Sequence, residues 1–453
     1  MRGVSRNLAR TVNAPKANHT DRAPEFAGLL LTSSKMLSKL SALLLIPAAL
    51  HTQPIAIPSS NTAIRAALAT LKADNAWTLE QQTSICEIAS PPFKEAARAA
   101  EFRRRLETLG ITNLRIDASG NVIGERPGTG SGPTVVLSAH LDTVFPEGTD
   151  VHVKRDSTPA TGVRLTAPGI GDDCRGLATL LAVARAMKSA NVRTAGMVYF
   201  VGTVGEEGPG NLRGVRALFT GELKGKINYF ISVDGIGFGA TSGAVGSNRY
   251  HVSYKGPGGH SYGAFGMPNP IHAMGRAIAK ISDFPVPDSP RTTFSVSVVK
   301  GGTSVNSIPD LGAFDVDMRS ESAASLATLD AKFQLAIRDA LREELARWPN
   351  SKVPLTMSID TIGIRPAGSQ PDSARIVRIA VETGKLLGFS VTPGANSTDS
   401  NIPIGLGIPA ITLDAAGRGL GTHSLTESYS DGPNGFLGPQ WVTLVVATLS
   451  GVR

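Results

Sequence analysis

Two cysteines in 453 residues, Cys86 and Cys174, are too few for a disulfide framework. They lie far apart in unlike contexts; one bridge between them is the most that can form, and the compartment cannot be read from them. Charge is sparse too, with Asp, Glu, Lys and Arg together at 18%. Aromatics amount to 5%, and no Lys/Arg-rich patch interleaved with them occurs in the body of the chain, so nothing supports nucleic-acid binding. Apolar runs long enough to span a bilayer are missing, as are internal repeats and low-complexity tracts. What is present is a globular composition, 41% hydrophobic with 49 glycines. The length calls for two domains rather than one core.

The net charge of +8 is concentrated at one end. Residues 1–40 carry Arg2, Arg6, Arg10, Lys16, Arg22, Lys35 and Lys39 against Asp21 and Glu25, which supplies +5 and leaves +3 for everything after. Met36-Leu-Ser-Lys39 leads into the short apolar run Ser41–Leu50, followed by polar residues and a proline at His51–Pro54. A positive segment, a short apolar core and a polar boundary form the pattern of a secretory signal. The expectation is an exported protein, periplasmic or secreted, with a leader over residues 1–53 and translation starting at Met36. A disordered N-terminal arm is the alternative.

From about 61 to 109 the pattern is helical, with Pro91-Pro92 separating two segments. Strand-like runs then alternate with helices: strands at Asn121–Glu125 and Thr134–Ala139, a helix at Arg175–Lys188, and strands at Met197–Val204 and Tyr229–Val233. Such alternation predicts βαβ units and a mostly parallel sheet with helices on its faces. Near residue 247 the rhythm changes. Strand Arg249–Tyr254, helix Pro270–Ile281, strands Thr292–Val299 and Gly312–Met318, helix Ala323–Arg347 and strand Val353–Thr361 read β-α-β-β-α-β, a ferredoxin-like arrangement. From Asp372 the α/β rhythm resumes, with a helix to Lys385, strands near Phe389–Val391 and at Ala410–Leu413, and a closing helix near Gln440–Leu449. The fold class expected is therefore α/β: residues 61–246 and 363–453 make one domain, interrupted by an inserted domain over 247–362.

The Thr134–Asp142 run ends in His140 and Asp142. On an extended chain these share a face, at the carboxyl end of a sheet strand, where open α/β sheets place their sites. Imidazoles that bind metal commonly have the other ring nitrogen held by a carboxylate, so His-x-Asp proposes a ligand with its support. A satisfied core histidine is the plain alternative. More acids close other strands: Asp172-Asp173 ahead of the 175–188 helix, Glu206-Glu207 after 197–204, and Asp234 after 229–233. His423 lies in a glycine-rich turn. Six carboxylates at one mouth cannot all stay ionised without counter-cations, and no lysine occurs in these motifs. Histidine and carboxylate donors without cysteine fit zinc in a hydrolytic site, with cobalt or manganese as substitutes. Neighbouring extended residues point apart, so Glu206 and Glu207 divide into one metal ligand and one general base for the attacking water.

In their order and spacing, His140-Leu-Asp142, Gly171-Asp-Asp-x-x-Gly176, Glu206-Glu207, Val233-Asp234 and Thr422-His423-Ser424 resemble the peptidase T / carboxypeptidase G / aminoacylase metallopeptidase family, from about residue 75 to the C-terminus. The resemblance implies two zinc ions per chain, one held by His140, Asp172 and Asp234, the other by Asp172, Glu207 and His423. It makes Glu206 the general base, Asp142 the residue that orients His140, and the Asp172–Asp173 peptide cis. The insert becomes a lid and dimerisation domain. In it Gly258-Gly-His260-Ser matches the motif of a histidine that steadies the tetrahedral oxyanion, often across a dimer interface. Asn306 and Arg319 resemble substrate-binding positions, with the Arg319 fork suited to a carboxylate.

The chain departs from the family at Cys174-Arg175, where lysine usually follows the Asp pair; a thiol there would be open to oxidation or adventitious metal. Arg319 has a structural alternative in a salt bridge to Asp317 or Asp315, and His260 in a simple turn. Ser424-Leu-Thr-Glu427 reads as a helix capping box, Cys86 as core, and His152, His251 and His272 as surface or packing residues. The function expected is zinc-dependent hydrolysis of amide bonds in small peptides, of a di- or tripeptidase or aminopeptidase-like kind, toward which Asp rather than Glu at 234 leans. N-acyl-amino-acid deacylase or carboxypeptidase-type hydrolysis is the alternative, and a binding protein that keeps metal only for structure is a third reading. The partners expected are a small peptide or N-acyl amino acid and a second copy of the chain, with no nucleic acid and no stable membrane span.

Overall fold

The computed structural model describes residues 55–158 and 162–452. The leader and its export signal lie outside the described residues. Val135–His140 and Val198–Thr203 are buried along their whole length. Their continuous apolar sequence follows from burial on both faces. Val135, Leu137 and Ala139 enter one core, under helices Thr62–Ala73, Asn75–Cys86, Cys174–Ser189, Arg375–Leu386 and Leu437–Ser450, whereas Val136 turns into a second core with Val215 and Leu218. Each valine or leucine among them, fully buried, contributes roughly 1.5–3 kcal/mol.

Four parallel strands form the middle of a nine-stranded sheet, in the order Val198–Thr203, Val135–His140, Tyr229–Val233, Ala410–Leu413. Antiparallel strands Val122–Arg126 and Thr112–Ile116 extend one edge, and Ala240–Ala244 with short partners extends the other. All four central strands point their carboxyl ends the same way, which gathers the loops after residues 140, 203, 233 and 413 at one rim.

Gly246–Lys255, Thr292–Gly301, Leu311–Ser320 and Thr356–Arg365 form a separate antiparallel sheet, ordered second-third-first-fourth in chain sequence. Helices Pro270–Ser282 and Ala323–Arg347 cover one face over Tyr250, Val252, Phe314, Val316 and Met318, and Phe333 of the second helix stacks on Tyr250. Alternation along the strands puts Arg249, Asp315, Asp317 and Arg319 on the other face. The fold is thus α/β, with a mostly parallel central sheet and a ferredoxin-like β-α-β-β-α-β unit.

Local differences from the sequence expectation have identifiable causes. The strand expected at Phe389–Val391 forms instead at Pro393–Asn396, because Phe389 plugs the core between Phe238, 4.2 Å away by ring centroid, and Trp441 at 5.3 Å. Glu427 caps no helix, since none starts at Ser424 and strand Ser428–Ser430 follows instead. The last strand of the smaller sheet runs on to Arg365 rather than ending at Thr361. Among the described residues, no helix is long and apolar enough to cross a membrane.

Candidate active site

Asp142, Glu206, Glu207 and Asp234 stand just past the ends of strands of the central sheet, whereas Asp172 and Asp173 lie in the loop between strand Gly162–Thr166 of a separate four-stranded sheet and the 174–189 helix. His140 closes its strand, 1% exposed, with Nε2 2.8 Å from Asp172 Oδ1. The other oxygen of Asp172 lies 3.1 Å from His423 Nε2, which is itself 2.9 Å from Glu207 Oε1. Asp172 therefore spans two imidazoles, one through each oxygen. Potential ligand atoms of His140, Asp172 and Asp234 lie within 4.8 Å of one another, and so do those of Asp172, Glu207 and His423. These two triads share Asp172.

The Asp172–Asp173 peptide is cis. Asp173 accepts the amide hydrogens of His140 and Gly176, both at 2.9 Å, so one carboxylate caps the 174–189 helix and ties its start to the His140 strand. Gly176 permits that approach: a Cβ there would fall 2.1 Å from Asp173 Oδ1 and 2.2 Å from the Val233 carbonyl oxygen.

Asp142 does other work than expected. The His140 Nδ1 lies 3.1 Å from the Asp142 carbonyl oxygen but 3.7 Å from its carboxylate. The carboxylate instead accepts the amide hydrogens of Glu206 at 3.1 Å and Glu207 at 2.9 Å. Its side chain thus shapes the glutamate loop, while its backbone sets the imidazole tautomer.

Electrostatics follow from crowding. Burial raises Asp234 and Asp173, and neighbouring carboxylates add to it. Glu207 is pushed up to about 7, by burial first and by the charges of Asp172 and Glu206 after it, against the pull of His423. Burial also disfavours charge on Asp172, yet hydrogen bonds from His140 and His423 hold it below the usual carboxylate range. In turn His423 is raised to about 10 by Asp172 and Glu207. His140 stays well above its ordinary value despite burial, through Asp172 and the charges of Asp173 and Asp234. Protons on the two imidazoles thus stand where cations are needed. Three carboxylates and two imidazoles in two triads suit a pair of divalent transition metals with nitrogen and oxygen donors.

Several functional neighbours were not signalled by the sequence. Arg365, at the end of the smaller sheet's last strand, donates from Nη1 to Glu206 Oε1 at 2.9 Å and from Nη2 to the Glu206 carbonyl. Both side chains of this ion pair are under a tenth exposed, 6% and 7%. Arg249 and Arg319 share Asp317, at 3.2 and 2.8 Å. All three arginines line a cleft of ≈ 530 Å³ together with Asp172, Glu206, Glu207, Asp234 and His423. Arg319 accordingly makes the salt bridge to Asp317 and faces the cleft as well. Glu427 accepts amide hydrogens from Gly169, Gly171 and Asp172 at 3.2, 2.8 and 2.9 Å, clamping the loop that carries the shared ligand.

His260 and Asn306 are not brought to that cleft. They sit together on a small exposed ribbon, where the Ser261 amide donates to the Asn306 carbonyl at 2.9 Å and the His260 ring accepts the Gly263 amide at 3.2 Å.

The chain is similar to known proteins in sequence and in fold. The uncharacterized protein YqjE of Bacillus subtilis is 25% identical over 352 residues, covering 74% of this chain and 89% of that protein. A succinyl-diaminopimelate desuccinylase of Nitrosococcus oceani is 27% identical over 247 residues, 51% of this chain and 64% of the relative. In the fold, the crystal structure of aminopeptidase PepT from Bacillus cereus superposes with a TM-score of 0.66 at 20% identity, covering 83% of this chain and 98% of that one. The model of peptidase family M20/M25/M40 matches residues 136–431, a span that takes in both triads, Glu206 and Glu427, and the chain belongs to that family.

Proposed function

We propose that this protein is a two-zinc exopeptidase that hydrolyses amide bonds in di- or tripeptides bearing a free amino terminus. The observation that carries the reading is the pair of triads sharing Asp172, with Glu206 held beside them by Arg365. Zinc is the choice because the donors are imidazole and carboxylate without thiolate. When bound, such a pair polarises an amide carbonyl and acidifies the attacking water. Glu206 accepts that water's proton and returns it to the leaving amine. Arg365 occupies Glu206 Oε1, so the glutamate presents a fixed orientation to the cleft. Arg249 and Arg319 set two guanidinium groups against one carboxylate, Asp317. The excess positive charge on that wall suits a substrate carboxylate, and it equally favours the second reading, an N-acyl-amino-acid deacylase or carboxypeptidase-type hydrolase.

A matched panel separates the two: a free tripeptide, its N-acetylated form and its C-terminal amide, each with chelator and with zinc restored. Cleavage restricted to free amines supports the peptidase reading; cleavage that tolerates the acetyl group but needs the carboxylate moves the assignment to the deacylase. Glu206→Gln abolishes turnover and keeps metal binding, and a variant with wild-type activity refutes the mechanism.

The reading includes a homodimer in which His260 and Asn306 serve the partner's cleft. Both are exposed, beside Tyr262 at 89% and Val305 at 103% exposure. Mixing inactive Glu206→Gln with inactive His260→Ala restores activity if the histidine acts across subunits, since a mixed dimer then holds one intact site. No recovery overturns that arrangement. Export through the N-terminal segment belongs to the same reading, and N-terminal sequencing of the protein found outside the cytoplasm tests it.

A further inference from the structure

The mechanism makes no use of the two cysteines, yet folding brings them together. Cys86 ends the 75–86 helix and Cys174 opens the 174–189 helix, and both reach the turn at 168–169, where the Cys174 amide donates to the Gly169 carbonyl at 3.3 Å; both thiols are free, with no disulfide between them. Both are fully buried. Cys174 directly follows Asp172-Asp173, so the pair lies under the loop that presents the shared metal ligand. The Cys86 Sγ also donates to the Pro168 carbonyl at 3.6 Å. Pro168 in turn walls a surface cavity of ≈ 370 Å³, with Thr149, His152, Thr166 and Leu425. The turn at Pro168 thus has the Cys86 sulfur on one side and a surface cavity on the other.

A buried charge stands beside them. Arg98, fully buried, donates to the carbonyl oxygens of Cys86 at 3.2 Å, Ile88 at 2.7 Å and Leu141 at 2.9 Å. Its guanidinium favours an anionic sulfur at Cys86, although burial, the larger effect, holds that thiol protonated at rest. Exchange consequently waits for the Pro168 turn to open, a local fluctuation rather than global unfolding.

We propose that Cys86 and Cys174 are a dithiol modification site, converted to an intramolecular disulfide by a small-molecule disulfide. The Cys86 sulfur attacks the reagent, whose S–S bond breaks and releases one thiol. The Cys174 sulfur then attacks the mixed disulfide at Cys86, expelling the second thiol. Two protein thiols are oxidised, one small disulfide is reduced to two thiols, and the two protein protons end on the released thiols. The product joins the ends of two helices far apart in sequence and staples the Asp172 loop to the 75–86 helix, which stabilises the fold chiefly by restricting the unfolded chain.

The test uses the intact protein in reduced and in oxidised glutathione, followed by unfolding, iodoacetamide labelling and intact-mass analysis. The reduced sample takes two labels. After oxidation the expected sample takes none, has lost two hydrogens, and yields a non-reduced peptide joining Cys86 to Cys174. Two labels after oxidation, or a retained glutathione adduct, overturns the proposal. Melting temperature supplies the second readout and needs no variant: it rises by a few degrees on oxidation and returns with reductant, and no rise overturns the staple. Cys86→Ser blocks both changes while keeping peptidase activity, so failure of this proposal is distinguishable from failure of the functional reading.

Discussion

Replacing Glu427 by glutamine tests whether Asp172, the candidate ligand common to both triads, is held in place by a side chain outside them. In the native loop, Oε1 accepts from Gly171 and Asp172 at 2.8 and 2.9 Å and Oε2 from Gly169 at 3.2 Å, with the side chain 1% exposed. The amide oxygen of the introduced glutamine can keep the two shorter bonds, though without the negative charge. Its NH2 group then faces the Gly169 N–H, donor against donor. Losing one charge-assisted bond and leaving one amide hydrogen unmet costs about 2–4 kcal/mol. Part of that falls on the whole fold and part on the position of Asp172. Residues that support metal ligands typically change affinity about 10–100-fold when altered, and both triads lose because they share Asp172. The expected result is metal binding weakened by about that factor in competition with a chromophoric chelator, with a melting temperature a few degrees lower. Turnover with excess metal falls less than affinity does. Wild-type affinity in Glu427→Gln refutes the clamp.

Two further outcomes follow from shifted protonation. Asp399 is fully buried, with Oδ2 2.5 Å from Thr203 Oγ1, and burial followed by the Glu206 charge raises it to about 7. A carboxyl raised on folding stabilises the protein below its unfolded value, and that contribution disappears as pH climbs through 7. Asp399→Asn, permanently neutral, is therefore more stable than wild type at pH 9 by up to about 4 kcal/mol and at pH 5, where the unfolded carboxyl has already ionised, by only about 2 kcal/mol, read by denaturant melts of chelated protein; a difference that does not grow between pH 5 and pH 9 refutes the assignment. His423 is raised to about 10 by Asp172 and Glu207 in the metal-free protein. Its contribution to metal-free stability is full below about 6.5 and is lost as pH rises toward 10, and a metal entering that triad must displace the same proton. Metal affinity measured by competition titration thus climbs across this window, and a flat profile refutes the competition.

Local pattern was enough to reveal the strands and what stands at their ends. A continuous apolar run marked Thr134–Ala139 as a strand buried on both faces, because parallel sheets cover both faces, and Tyr229–Val233 was legible as a strand; both lie in the middle of the central sheet. Once the central strands are parallel, the residues that end or follow them, His140, Glu207 and Asp234, meet at one rim; the candidate ligands Asp172 and His423 could be named from order and spacing, but they reach that rim from loops of the separate four-stranded sheet. What the tertiary structure decided is which partner each side chain takes. Arg365 reaches Glu206 across 159 positions and Glu427 reaches Gly171 across 256, and no periodicity links residues so far apart. The Asp142 carboxylate turned to the Glu206–Glu207 amides, and His260 with Asn306 stayed outside the cleft. Two unrelated cysteines became neighbours. Periodicity constrains which face a residue occupies; only the packing of distant elements sets the atom it meets there.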